Sequence, residues 1–191
     1  MRIKSFILTF VLTLSLVTTL LVGCAPKSTP APMTPTPTTK PPSDIVATAS
    51  IVDNGAAFQK AIGRVGGTWI IAILKDLTID KDLILEGEYK NGKKDANGKD
   101  VIQRKIALYA QDNQRNVTAR YTLTAPKLTI MSPETGIWYG TFKGDVYVSA
   151  KDFQLIGAKI DGNIYFTTAE AQSTFKKDTA SSVTGKTELK K

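Results

Sequence analysis

The chain has 191 residues, with 25 Lys and Arg against 17 Asp and Glu, a formal charge of +8 and 42% hydrophobic residues. It contains no histidine and a single cysteine. That excludes Ser-His-Asp and Cys-His catalysis, the usual histidine-containing zinc sites and an intrachain disulfide.

Arg2 and Lys4 precede an apolar run, residues 6–22, that ends in Leu21-Val22-Gly23-Cys24. A short basic start, an apolar core and small residues at its end read as a targeting segment. The quartet resembles the bacterial lipobox, and the resemblance implies cleavage before Cys24 and acylation of its thiol. A retained signal anchor is the alternative, since such a run can just span a bilayer. The expected organisation is a signal peptide over 1–23, a lipidated Cys24 with its linker over 24–44, and one domain over 45–191. The lipid would hold the protein to the cell membrane on its extracytoplasmic face. Pro, Thr and Ser dominate the linker. Chain of that kind extends by about 3 Å per residue, so it can hold a domain roughly 50 Å from the lipid surface. Outside the cell the basic balance indicates a solubilising surface, or a patch for anionic wall polymer or headgroups, and no nucleic-acid partner.

Asn54 stands before Ala57, Phe58, Ala61 and Ile62, which have helical spacing, so Asn54 is the expected N-cap of a short amphipathic helix. Standing before Trp69 to Leu74, that helix would close the open end of the stack. Asn-Gly at 91–92 and again at 97–98 predicts a loop over Asn91 to Asp100. Thr167-Thr168-Ala169-Glu170 has capping-box spacing, Thr with Glu three residues on, and predicts a helical turn over Thr168 to Thr174, bulging from the body of the fold.

The most informative pattern is a repeat. Phe142-Lys143-Gly144-Asp145-Val146-Tyr147-Val148 returns 18 residues later as Ile160-Asp161-Gly162-Asn163-Ile164-Tyr165-Phe166. A weaker copy, Val183 to Leu189, follows after 23 more residues. Leu128 and Ile130 stand 18 residues before Val146 and Val148, and Leu85-Glu86-Gly87 has the same apolar–polar–glycine opening. Within each unit apolar residues alternate, so Val146, Val148, Ile164 and Phe166 should point inward and Tyr147 and Tyr165 outward. Phe153 and Leu155 make a further strand, and Phe142 and Ile160 end another just ahead of the corner glycines. Three short strands per 18 residues describe one coil of a parallel β-helix, which buries its inward residues by stacking on its neighbours. The expected fold is all-β: a small parallel β-helix with a short N-terminal capping helix. A left-handed hexapeptide helix wants an aliphatic residue every six, and from Val146 those positions are Asp152 and Ala158.

Lys143-Gly144-Asp145-Val146 and Asp161-Gly162-Asn163-Ile164 resemble the steps of bactofilins, bacterial polymer-forming proteins. That resemblance covers the units from Thr141 onward and implies a right-handed helix. The segment from Arg104 to Arg120 shows no clear copy of the unit.

No catalytic constellation assembles from these residues. Setting Gly98 at the turn of a calcium loop places Lys93 and Arg104 where ligands belong. The 18-residue offset sets Asp145 beside Asn163 and Lys143 beside Asp161, an amide rung and an ion pair. The expectation is therefore a non-enzymatic surface lipoprotein with no cofactor and no metal, acting as a scaffold or interaction module at the cell envelope. Its partners would be the membrane, through the lipid, and a wall polymer or envelope protein. The alternative is a cell-wall glycan-binding module that uses Tyr147 and Tyr165 as a stacked platform, with Trp138 and Tyr139 nearby. A polysaccharide lyase-like enzyme ranks third. Unpaired aliphatic positions in an uncapped last coil, fringed by Lys186, Lys190 and Lys191, predict weak, salt-dependent self-association.

Overall fold

The structure, a computed structural model, describes residues 49–190. The signal segment, Cys24, the linker and Lys191 lie outside the described residues.

Among the described residues the chain runs mostly through short parallel strands. One sheet orders β1 (Ala49–Ile51), β2 (Ile70–Ala72), β7 (Arg104–Ala107), β11 (Thr135–Trp138), β13 (Gln154–Ile156) and β16 (Lys176–Lys177), each parallel to the next. A second sheet is centred on β10 (Thr122–Ile130) and β12 (Thr141–Val148). At one edge β10 pairs with β3 (Leu77–Thr78) and β4 (Leu83–Leu85). On the other side β12 pairs with β14 (Lys159–Asp161) and β15 (Ile164–Phe166), which in turn carry β17 (Ser182–Val183) and β18 (Thr187–Leu189). Two antiparallel hairpins complete the strands: β5 (Lys90–Lys94) with β6 (Asp100–Ile102), and β8 (Tyr109–Gln111) with β9 (Val117–Arg120).

Period-two alternation gives each strand one buried face. In β12, Phe142, Val146 and Val148 are buried; in β10, Leu123, Ala125, Leu128 and Ile130 are. Parallel pairing then lines like residues into columns. Leu83, Leu128, Val146 and Ile164 form one, and Leu85, Ile130, Val148 and Phe166 another. Ile71, Ile106, Ile137 and Leu155 form a third in the first sheet. These columns share one hydrophobic core with α1 (Gly55–Ile62) and with Phe153.

Glycine is required where the chain steps between strands. Gly144 and Gly162 have φ of +139° and +159°, and a Cβ on Gly144 would run into the Ala125 carbonyl, one on Gly162 into the Gly144 carbonyl. Opposite Gly144, β10 carries a register shift between Thr124 and Lys127, and Pro126, which has no N–H to give a ladder, falls within it.

Four expectations are corrected. Residues 91–100 are no simple loop: Lys90–Lys94 is a strand, and only the turn around Asp95 and Gly98 is unpaired. Ion pairs from Lys90 and Lys94 to Asp100, each 2.5 Å, close that hairpin, and Asn-Gly supplies its turn. The N-terminal end is not left to α1 alone: β1, ahead of the helix, is the edge strand of the first sheet and pairs with β2. The helix expected at Thr168 to Thr174 is α2 (Ala169–Ser173), capped by Thr168; it does not stand away from the body but inserts Ala171 fully into the core. Lastly, the C-terminal edge is aliphatic only in part. Val183 and Leu189 end the columns of Ile160 and Phe166, but Lys177 ends the Ile137–Leu155 column and Thr187 the Val146–Ile164 column, while Phe175 packs on Phe153 and Phe166.

Candidate functional site

The four aromatic residues singled out from sequence occupy two separate places. Tyr147 and Tyr165 are paired neighbours on β12 and β15, with ring centroids 5.1 Å apart and planes tilted by 45°. Both are half-buried, and they do not form the flat exposed platform expected. Lys190 lies 5.1 Å from the centroid of Tyr147 and 4.7 Å from that of Tyr165, and its Nζ donates a hydrogen bond of 3.1 Å to the Tyr147 hydroxyl. That hydrogen bond raises the Lys190 ammonium above the ordinary lysine range. Lys127, itself paired with Asp82 at 2.6 Å, stands 5.8 Å from the Tyr147 ring. A sugar ring stacking here would have to displace Lys190, so the pair already has its cation–π partner.

Trp138 and Tyr139 belong to the first sheet and do not join that pair. Alternation along β7 sends Ile106 inward, so Lys105, Ala107 and then Tyr109 face the other way. Ala107 and Tyr109, with Ile70, Ala72, Trp69, Val117, Trp138 and Tyr139, form a second apolar cluster on the outer face of that sheet, to which β8 contributes Tyr109 and β9 Val117. Tyr109 meets Tyr139 edge-on at 4.8 Å, Lys105 Nζ lies 4.1 Å from the Trp138 centroid, and Arg120 lies 4.9 Å from that of Tyr139. Lys105 is only 8% exposed and donates 2.7 Å to the Tyr109 hydroxyl.

The residue that sequence reasoning missed is Arg104, the largest fully buried side chain. Its Nε donates to Thr68 O at 2.7 Å, Nη1 to Glu86 O at 2.6 Å, and Nη2 to Ala61 O at 2.8 Å. The ring of Tyr89 lies 3.9 Å below the guanidinium, and the Tyr89 hydroxyl donates to Gly63 O and Arg64 O. Burial lowers the Arg104 guanidinium to about 10, which leaves it charged at neutral pH. Among the described residues no carboxylate pairs with this cation. Backbone carbonyls offset it instead: Ala61 O from the last turn of α1, where the helix dipole is negative, and Thr68 O and Glu86 O from connections between strands. The signal was present in the alternation: Arg104, Ile106 and Leu108 share a face, and the latter two are plainly core residues.

Carboxylates in the C-terminal half hold neighbouring strand connections together. Asp145 Oδ1 accepts from Asn163 N at 2.9 Å and from Asn163 Nδ2 at 2.8 Å, and Asn163 Oδ1 accepts from Lys186 N at 2.9 Å. Lys143 and Asp161 are register partners, but the ion pair expected between them is not formed. Asp161 instead faces Lys159 at 3.8 Å and accepts from the Thr184 hydroxyl at 3.2 Å. Asp95 accepts from the amides of Asn97 and Lys99, as an ordinary turn does. Among the described residues no group of three His, Cys, Asp or Glu is arranged to hold a metal ion.

No family model matches this chain, and no curated protein or solved structure matches it. The described residues include no helix long and apolar enough to cross a membrane.

Proposed function

We propose that the two parallel sheets are walls of a small right-handed β-helix, and that the chain is a non-catalytic, lipid-anchored interaction module of the cell envelope. Acylated Cys24 ties it to the extracytoplasmic face of the membrane, and the Pro- and Thr-rich linker holds the β-rich domain clear of the lipid. The 18-residue offset between Thr141 and Lys159, and between Val146 and Ile164, supports the coil length. The observation that carries the functional reading is the fate of the carboxylates. Asp145, Asp161 and Asp178 each accept hydrogen bonds from a neighbouring strand connection, at Asn163, Thr184 and Gly157. Carboxylates engaged this way stiffen a scaffold and leave its outer faces for partners.

Fatty-acid labelling with Cys24→Ser tests the anchor. The wild type should be processed, labelled and partitioned into detergent, and the variant should be none of these. A variant processed and labelled like the wild type overturns the reading. Self-association through the ends should be weak. Lys177, Thr187 and the flanking lysines blunt the C-terminal edge, so salt should favour a dimer by screening their repulsion. Sedimentation of the detergent-solubilised full chain at low and high salt should detect it, and a strict monomer throughout removes this part of the proposal.

A further inference from the structure

We infer that an open cavity at the junction of the two sheets binds an acidic saccharide through Arg120 and Lys159, which names a ligand class for the interaction module proposed above and rests on that reading. The cavity has a volume of about 340 Å³ and is bordered by Arg120, Tyr121, Thr122, Thr141, Gly157 and Lys159 among others. That is near the lower end of small-molecule sites, which run from about 300 to 1,000 Å³. Its lining carries two cations and no acid.

Arg120 is the organising group. Its Nη1 donates to Gly157 O at 2.7 Å, and the same guanidinium lies 4.9 Å from the centroid of Tyr139, so two contacts fix where that group sits. Among the described residues no carboxylate pairs with it, and a guanidinium has five donors in a fixed fork. Lys159, from the second sheet, meets Asp161 only at 3.8 Å, the outer limit of an ion pair. The nearest other acids are engaged elsewhere. Asp76 accepts from Thr122 N at 2.8 Å, and Asp178 accepts from Gly157 N at 2.9 Å and from the Ser181 hydroxyl at 2.5 Å. These bonds fix the backbone of the rim and place no carboxylate in the lining.

A pre-positioned guanidinium with an ammonium across from it recognises an oxyanion, and the fork geometry favours the two oxygens of a carboxylate or phosphate. Thr122 and Thr141 on its border are polar residues that suit the hydroxyls of a sugar. A glycan carrying uronate or phosphate groups meets both demands, and a neutral glycan meets only the second.

Calorimetric titration of the detergent-solubilised full chain tests this with three probes: oligogalacturonides, phosphorylated mannan oligosaccharides and neutral cello-oligosaccharides. At least one acidic probe should bind and the neutral one should not, and which acidic probe binds identifies the oxyanion. Arg120→Gln should weaken binding roughly 10- to 100-fold, the scale of a charge-assisted hydrogen bond. Lys159→Gln should weaken it less, while Lys93→Gln, on the distant hairpin, should leave it unchanged. Melting curves of all variants guard against loss of fold, and Lys159→Gln carries the test if Arg120→Gln melts early. Binding of neither acidic probe, equal binding of the neutral one, or full binding by both Arg120→Gln and Lys159→Gln overturns the inference. Wild-type chain that takes up fatty acid yet binds no acidic glycan overturns the ligand and leaves the anchor standing. Chain that binds the glycan but takes up no fatty acid does the reverse.

Discussion

Residues 49–120 and residues 121–190 build the same parallel ladders by different means. In the later segment the strands follow one another at short, regular intervals, and aliphatic columns such as Leu128, Val146 and Ile164 hold them together. The earlier segment interrupts its ladders with two hairpins, so Leu83 meets Leu128 across 45 residues of chain. There a buried polar hub does part of the work, with Arg104 gathering the carbonyl of Ala61 from the last turn of α1 and those of Thr68 and Glu86 from connections that have no regular geometry of their own. Columns suit repeated strands, whose side chains interdigitate at constant spacing. A guanidinium suits irregular loops, because its donors satisfy backbone groups that no ladder reaches.

The largest test of this contrast is Arg104→Met. It keeps much of the volume and orphans three carbonyls, each costing about 1–3 kcal/mol when buried. Water entering the loops limits the total, and we expect a loss of about 3–5 kcal/mol in urea denaturation. Arg104→Lys should recover little, since an ammonium cannot span the same three acceptors. A loss below about 1 kcal/mol would mean the hub is dispensable. Within the later segment, Ile164→Ala empties a fully buried column site and should lose roughly 2–5 kcal/mol. If Ile164→Ala is harmless while Arg104→Met unfolds the chain, the two segments are not held as described.

Smaller effects sharpen the picture. Tyr165→Ala removes a half-buried ring tilted against Tyr147 and capped by Lys190. Its loss should be about 1 kcal/mol, the scale of a cross-strand aromatic pair. Losses as large as that of Ile164→Ala would place Tyr165 in the core. The smallest effect belongs to the hairpin of β5 and β6. Hydrogen bonds from Lys90 and then Lys94 lower the Asp100 carboxyl to about 2. Because the folded value lies below the unfolded one, this contribution is complete above about pH 4 and disappears as pH falls through about 2. An NMR titration of the Asp100 carboxyl should find that low midpoint, and global melting should be indifferent to Asp100→Asn. A midpoint near 4 would show the lysines solvated and the hairpin open.

Local pattern alone identified much of this protein. Asn54 is the cap of α1, with its side chain accepting from Ala57 N at 2.9 Å, as the helical spacing of Phe58, Ala61 and Ile62 required. The alternation around Val146 and Ile164 named the buried residues, since a strand with one dry face shows its period in the residues themselves. Tertiary structure decided the rest. Trp138 and Tyr139 lie apart from Tyr147 and Tyr165 because successive strands enter different sheets, and proximity in sequence says nothing of which. Lys190 covers the tyrosine pair from 43 residues beyond Tyr147 and 25 beyond Tyr165, and no local period encodes that contact. Arg104 is buried for the same kind of reason. Desolvating a guanidinium is tolerable only where acceptors converge on it, and its acceptors come from segments 18 to 43 residues distant. A buried apolar residue is announced by its own hydrophobicity, whereas a buried charge is permitted only by neighbours that the folded chain brings to it.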